Sequence, residues 1–251
     1  MLLAGLEEST DVMANYLASR GHTLVVIVED PQSRLDLTRR RARRLGWLPV
    51  AGQVLFVVLL LPVLRRRGAR RHVDIFRSAS VDASPRPPDI RVPSVNDDRT
   101  IAHLTALRPD VVVVHGTRIV AKRVLEAVAC PIINIHAGIT QRYRGVHGGY
   151  WALREGHPEW VGTTVHLVDP GIDTGGILAQ TTFAVSKEDT IATYPDLHLV
   201  HGLPHLWEQV DKALTGATLE PLSTSIAPGT GLYHHPTLWG YLWHRWRDRV
   251  R

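Results

Sequence analysis

Three side chains in the second half of this 251-residue sequence can do chemistry together. Asn134 and His136 stand two residues apart, and Asp173 lies in the turn Asp169-Pro-Gly-Ile-Asp-Thr-Gly175. An amide, an imidazole and a carboxylate suit the acylation of an amine. An uncharged amine that attacks a carbonyl carbon creates an oxyanion, which needs fixed donors. The Asn134 amide and a protonated His136 are such donors. The attacking nitrogen must also lose a proton, and Asp173 can accept it directly or through a water. A plainer reading stays open: a strand-end Asn and His as hydrogen-bonded surface residues, and Asp173 as ordinary turn chemistry.

The element that must position the first two is short. Pro131-Ile-Ile-Asn-Ile135 is β-branched and bounded by Pro and Gly, which predicts a buried strand. Side chains alternate faces along a strand, so Asn134 and His136 should point the same way, about 6 to 7 Å apart. They sit where that strand ends, the edge of an open α/β sheet where ligands bind. Around it, strands are expected at Leu2–Ala4, Thr23–Val28, Val73–Phe76, Asp110–Val114, Thr164–Val168 and Ile177–Phe183. Helices are expected from Ser9-Thr10-Asp11 to about Ser19, over Asp98–Leu107, Ala121–Ala129 and Gly148–Glu155, and over Glu188–Leu214 with breaks near Pro195 and Pro204. Residues 80 to 96 read as a Pro- and Ser-rich loop. Strand and helix alternate, so the fold class is α/β, a mostly parallel twisted sheet with helices on both faces.

Four segments together carry a resemblance: Asn134-x-His136, then Gln141-Arg-Tyr-Arg-Gly145, Gly162-Thr-Thr-Val-His-Leu-Val-Asp169, and Gly171-Ile-Asp-Thr-Gly-Gly-Ile-Leu178. The sequence resembles the folate-dependent formyltransferases, which act on glycinamide ribonucleotide, methionyl-tRNA or sugar nucleotides. The likeness covers residues 100 to 215 well and 1 to 30 weakly. It implies a Rossmann-like formyltransferase fold, N10-formyltetrahydrofolate as formyl donor, and Asn134, His136 and Asp173 as the catalytic set. It also implies a donor site. Thr117, Arg118, Ile119 and Val120 would lie against the pteridine ring, with the turn through Asp169, Gly171 and Ile172 closing the other side. A plain strand-to-helix loop is the alternative for residues 116 to 121. The sequence departs from the family between His136 and the Arg-Tyr-Arg-Gly loop, where Gly138-Ile-Thr-Gln141 replaces Ser-Leu-Leu-Pro. Losing the proline should free that loop. The first βα loop, Glu7-Glu-Ser-Thr10, is not glycine-rich, so no nucleotide cofactor is indicated.

Composition sets limits. An apolar share of 44% and a charged share of 21% are globular values. The division expected is a catalytic domain over 1–215, with an arginine-rich apolar insert at 31–72, and a C-terminal aromatic and basic tail helix over 216–251. Cys130 is the single cysteine, so no intramolecular disulfide can form, which fits a cytoplasmic location. The opening Met-Leu-Leu-Ala-Gly-Leu-Glu has no basic stretch before its apolar residues, so no secretory leader is expected. Fourteen histidines are present, yet none has metal spacing with acidic or thiol partners, and no metal is expected. His166 reads as structural, and His147 as a residue near the acceptor.

The insert is the second unusual feature. Arg39-Arg-Arg-Ala-Arg-Arg44 precedes an apolar run, Leu45–Leu64, and Arg65-Arg-Arg67 follows it. Pro49, Pro62, Gly52 and Gln53 interrupt the run, so a bilayer-spanning helix is not expected. A helix packed on the sheet or in a homodimer, and a helix lying in a membrane interface at the inner face, both remain open. Trp239, Trp243 and Trp246 form one stripe of the tail helix, expected to cover residues 45 to 64 or to sit beside them. The pI near 9.7 raises nucleic acid as a partner. The basic charge brackets an apolar run, however, which does not suit a groove reader. A tRNA-acting member would also carry a C-terminal β-barrel of about a hundred residues, and only about 35 follow Leu214 here. Nucleic acid is therefore not expected. Three functions remain: formyl transfer to an amino sugar nucleotide, formyl transfer to an amino acid or hydroxylamine, or an inactive folate-binding or membrane-associated homologue.

Overall fold

The structure is a computed structural model that describes residues 1–248 and Val250. Strands β1 (Leu2–Gly5), β2 (Val26–Glu29), β3 (Ile90–Val92), β4 (Val112–His115) and β5 (Ile132–His136) form a parallel set. Strands β7 (Gly162–Leu167) and β8 (Ile177–Thr182) extend it antiparallel. The order across the seven strands is β3-β2-β1-β4-β5-β7-β8. The expected mostly parallel sheet is present.

Alternation along these strands divides the core in two. Leu2, Ala4, Val26, Val28, Val113, Ile133 and Ile135 face one side. Leu3, Ile27, Val112, Val114 and Ile132 face the other. The first side is covered by α1 (Glu8–Ala18), α8 (Tyr194–Leu214) and α7 (Gly148–Arg154). The second is covered by α5 (Asp98–Leu107) and α6 (Lys122–Leu125). Residues alternate faces with period two, so Asn134 and His136 share the side of Ile132.

Several sequence expectations need correction. Val73–Phe76 is helical, and the third strand is Ile90–Val92 inside the segment read as a loop. A short β-branched and aromatic run looks the same in a buried helix as in a strand, and here a longer helix absorbs it. Helix α1 starts at Glu8 with Glu7 as N-cap and no side-chain cap bond, so Ser9-Thr10-Asp11 lies inside its first turn. Helix α8 is unbroken at Pro204. Among the described residues the tail is helical only over α9 (Leu238–Arg247). Before it, β9 (Leu232–Tyr233) pairs with β6 (Arg144–Gly145), which ties the tail to the Arg-Tyr-Arg-Gly loop.

The insert is helical nearly throughout. After α2 (Arg34–Leu45), Gly46 turns the chain with φ 86°, a left-handed value that favours glycine. One long helix then runs from Trp47 to Ser78 as α3 (Trp47–Leu55), a π-helical stretch (Phe56–Leu60) and α4 (Leu61–Ser78). The apolar run is therefore helical from Trp47, and the helix continues through the second arginine cluster. Its inner side carries Val50, Phe56, Leu61 and Leu64, all buried. Trp239 packs on Gly52, where a Cβ would come within 2.4 Å of the indole ring. Tyr241 meets Phe56 with ring centroids 5.3 Å apart. Trp243, expected against the insert, instead pairs with Trp246 at 5.3 Å and stays half exposed.

Polar contacts anchor α4 to the domain. Arg71 donates two hydrogen bonds to the Asp189 carboxylate, at 2.7 and 3.2 Å. His72 lies between Asp196 at 2.8 Å and Glu8 at 3.0 Å. Burial alone would raise the Asp189 pKa, but Arg71 and the Ser186 amide hold it below the usual carboxylate value. Asp189 is buried, so replacing it by Asn leaves a guanidinium without its counter-charge. Asp189→Asn is expected to cost roughly 2 to 3 kcal/mol. That is the low side of breaking a buried pair, because Arg71 keeps contact with water. Urea unfolding measures it, and a loss below about 0.5 kcal/mol would show that the pair does not anchor the helix.

Candidate active site

The register of β5 against β7 builds the centre of the site. Asn134 lies directly opposite His166, and His136 opposite Thr164. Residues facing each other across an antiparallel pair project to the same side within contact range. The Asn134 amide nitrogen is 3.0 Å from His166 Nε2. His166 Nδ1 donates to the Leu167 carbonyl at 2.7 Å, so Nε2 presents a lone pair. The amide group of Asn134 that faces it must then be its NH2. One amide hydrogen is bound there, and the second remains for an incoming oxygen.

His136 is held from the other end. Its Nε2 donates to the Tyr143 carbonyl at 2.8 Å, which leaves Nδ1 towards Asp173 Oδ1 at 3.4 Å. His136 and His166 are both buried, and His166 Nε2 is 3.8 Å from the same Asp173 oxygen. The other carboxylate oxygen accepts from the Gly145 amide at 3.0 Å. His136 Nδ1 and the Asp173 carboxylate therefore face each other at the centre of the site.

The turn that delivers Asp173 is built by its own residues. Asp169 accepts from the Gly171 amide at 3.0 Å and from the Thr174 hydroxyl at 2.7 Å. Gly175 passes so close that a Cβ would meet the Leu167 carbonyl oxygen at 1.7 Å. Asp173 adopts φ 51°, a left-handed conformation that Asp tolerates better than most residues. The Asp169 carboxylate is thus committed to the turn.

A cleft of about 930 Å³ opens over these groups. Asn134, His136 and Asp173 line it, and so do all the residues expected around a donor: Thr117, Arg118, Ile119, Val120, Asp169, Gly171 and Ile172. The Arg118 side chain turns away to Glu29, Nε to Oε2 at 2.7 Å. Asn96 takes the Ile119 carbonyl at 2.8 Å and the Ala121 amide at 2.6 Å. Between them the Val120 N–H and C=O make no hydrogen bond among the described residues, beside the exposed side chain of Ile119.

Several features of the site were not legible in the sequence. His166 belongs to the cleft, where it orients Asn134. The insert supplies Arg40, Arg41 and Arg44, and the tail supplies Leu232, Tyr233 and His234. No spacing rule gives the direction in which an inserted helix docks, so no signal pointed to these. His147 is outside the cleft lining and bonds to His235 at 2.9 Å beside Phe56. The Gly138-Ile-Thr-Gln141 loop is not loosened by its missing proline. Thr140 donates its amide to Thr164 Oγ1 at 3.0 Å and accepts from Gln180 at 2.6 Å, and Ile139 and Thr140 are fully buried. His198 bonds to Thr163, and His201 stacks on Phe183. Among the described residues, no cluster of three or more His, Cys, Asp or Glu could hold a metal.

Asn134, His136 and Asp173 thus converge on a cleft at the end of a parallel strand, the place where open α/β sheets bind ligands. Residues 64–199 match the family model described as formyl transferase, just over half of the chain, and the chain belongs to that family. A methionyl-tRNA formyltransferase from Thermodesulfovibrio yellowstonii is 35% identical over 124 residues, 49% of this chain and 40% of that protein. The chain spans about two fifths of the length of such relatives. Glycinamide ribonucleotide transformylase 1 from Symbiobacterium toebii shares the fold with a TM-score of 0.54 at 21% identity, over 86% of this chain and 87% of that one. An N-formyltransferase from Helicobacter canadensis, solved with folinic acid and dTDP-3-aminofucose, has a TM-score of 0.54 at 16% identity, covering 92% and 69%.

The buried histidines make stability depend on pH. Burial holds His115 and His235 down to about 4 and His147 and His198 down to about 3, and it also lowers His166. His72 runs the other way: burial opposes it, but Asp196 and Glu8 hold it above its ordinary value. Below the unfolded value of about 6.5, the unfolded chain binds more protons than the folded one, so stability is full above that pH and falls below it. The expected slope between pH 6.5 and 5 is on the order of 1 kcal/mol per pH unit for each lowered histidine. Urea midpoints across that range should fall with pH, and a flat profile would contradict the buried neutral histidines.

Proposed function

We propose that this chain transfers a formyl group from N10-formyltetrahydrofolate to a primary amine. The observation that carries the reading is the convergence of Asn134, His136 and Asp173 on one wall of the cleft, with His166 fixing the orientation of Asn134. The cleft volume is within the range of small-molecule sites. The free Val120 amide and carbonyl and the exposed Ile119 suit a flat heterocycle with donors and acceptors on its edge. Val120 and Ile119 would hold that ring, with Gly171 and Ile172 opposite.

The folate supplies the formyl carbon. As the amine nitrogen bonds to that carbon, its oxygen becomes anionic, and the second Asn134 amide hydrogen and His136 stabilise it. Asp173 takes a proton from the amine. The carbon–N10 bond breaks, N10 gains a proton, and an N-formyl product and tetrahydrofolate leave. A single free cysteine and a reduced pterin suit cytoplasmic work.

For the acceptor we infer an amino sugar carried on a nucleotide. Arg40, Arg41 and Arg44 reach the cleft from the insert, and guanidinium groups suit a diphosphate. The Helicobacter canadensis neighbour is solved with such a compound. An amino acid acceptor would offer these three arginines only a single carboxylate.

Turnover by Asn134→Ala, His136→Ala and Asp173→Ala should each fall by about a hundredfold or more, on the order of 3 kcal/mol per lost interaction. Circular dichroism should show each variant folded, and wild-type turnover in His136→Ala would sink the assignment. Folinic acid at millimolar concentration should raise the melting temperature by mass action, and no shift would remove the donor site. Offered an amino sugar nucleotide, a free amino acid and methionyl-tRNA, the enzyme should prefer the first. Preference for either of the others would replace the acceptor.

A further inference from the structure

The outer side of the long insert helix is apolar and bare. Leu48, Leu55, Leu59 and Val63 fall at spacings of seven, four and four, one stripe of a helix, and are 74, 40, 56 and 45% exposed. Between residues 47 and 64 this helix is apolar on both sides, but only its inner side is packed. Helix α9 continues the surface. Trp239 sits at the seam on Gly52, and Trp243 and Trp246 point outward, the latter 74% exposed. A soluble monomer rarely leaves a contiguous apolar patch of this kind uncovered.

Charge indicates what covers it. Residues 31–72 hold eleven arginines against one aspartate, while the rest of the chain holds 18 basic and 23 acidic residues. The protein is thus a net acidic body carrying a strongly basic insert. Arg39, Arg43 and Arg44 precede the apolar stripe, and Arg65, Arg66 and Arg67 follow it; all six are exposed. No carboxylate among the described side chains pairs with any of them. A second copy of this chain on the stripe would set two such clusters against each other. An anionic surface would neutralise them, and tryptophan beside arginine is the pairing that suits the water–lipid boundary.

We propose that the long insert helix and α9 together dock this enzyme on an anionic lipid bilayer, lying in its interface rather than crossing it. The helix is long enough to cross and its first half is apolar enough, but its inner side and the Arg71–Asp189 bond fasten it lengthwise to the domain. Arg40, Arg41 and Arg44 link the two roles of the insert, since they line the cleft just ahead of the docking stripe. Docking does not rest on the chemistry in the cleft, so its test is a binding measurement.

Purified protein is mixed with vesicles of phosphatidylcholine, with or without phosphatidylglycerol, and floated through a density gradient. It should rise with the anionic vesicles and stay behind with phosphatidylcholine alone. About 1 M sodium chloride should weaken binding, since the Debye length is then about 3 Å. Arg39→Gln, Arg43→Gln, Arg65→Gln and Arg66→Gln together should reduce it at least tenfold. Leu48→Ser, Leu59→Ser and Trp246→Ser together should abolish it. These positions are exposed, so circular dichroism should show all variants folded. On anionic vesicles, tryptophan emission should shift blue, and Trp246→Phe should diminish the shift. Failure of the wild-type protein to float would overturn the proposal. In that case sedimentation showing a dimer that Leu59→Ser dissociates would assign the stripe to self-association.

Discussion

The pairing of β7 antiparallel to β5 is the constraint on which the site depends. The first five strands run parallel, and such a set places its chemistry only at one end of its strands. Reversing the next strand lays His166 beside Asn134 and Thr164 beside His136. The turn that follows β7 then folds back over that pair, so Asp173 reaches His136 and His166 at once. A shift of one residue in this register would move His166 to the opposite face and leave Asn134 free to rotate. Thr164 locks the same register from below. Its hydroxyl donates to the Gly138 carbonyl and accepts from the Thr140 amide, and so ties the loop after His136 to the strand beneath it.

This explains which parts of the site could be read from the sequence. Period-two alternation is a local property, so the shared face of Asn134 and His136 was legible in Pro131–His136 alone. The family pattern added Asp173. The part played by His166 depends on which residue of another strand lies opposite Asn134, and no local pattern encodes that. The same holds for Arg40, Arg41 and Arg44. Their clustering was visible, but not the direction in which the helix that carries them docks. Among the elements, strands with strong β-branched runs were legible. The misreading of Val73–Phe76 as a strand arose because Val73-Asp-Ile-Phe76 is too short to show a helical period. The converse error, a loop in place of Ile90–Val92, involves three residues next to prolines, stabilised by pairing with β2 rather than by propensity.

The tail and the Arg-Tyr-Arg-Gly loop form one structure through Glu155. Its carboxylate accepts from Arg142 at 2.8 Å, Tyr143 at 3.2 Å and Tyr233 at 2.6 Å. Burial opposes its ionisation, yet these donors hold its pKa below the ordinary value. Tyr143 is fully buried and presents its backbone carbonyl to His136, so the orientation of His136 is set by a loop that the tail braces. The tail thus braces the loop that holds His136.

The long helix raises a different question: why one particular side of an all-round apolar helix is left bare. Burial of apolar surface is non-directional and would accept any rotation about the helix axis. The polar contacts do not. Arg71 on Asp189 and His72 between Asp196 and Glu8 are charge-assisted or geometrically demanding bonds, and they lie beyond the end of the apolar run. Because the chain from Trp47 to Ser78 is continuous, fixing the rotation at residues 71 and 72 fixes it for the turns before them. Phe56, Leu61 and Leu64 are then inside, and Leu55, Leu59 and Val63 must be outside. At the other end, Gly52 admits Trp239 only on its own side of the helix. The bare stripe is therefore a consequence of directional contacts at both ends of the helix and not of loose packing along it.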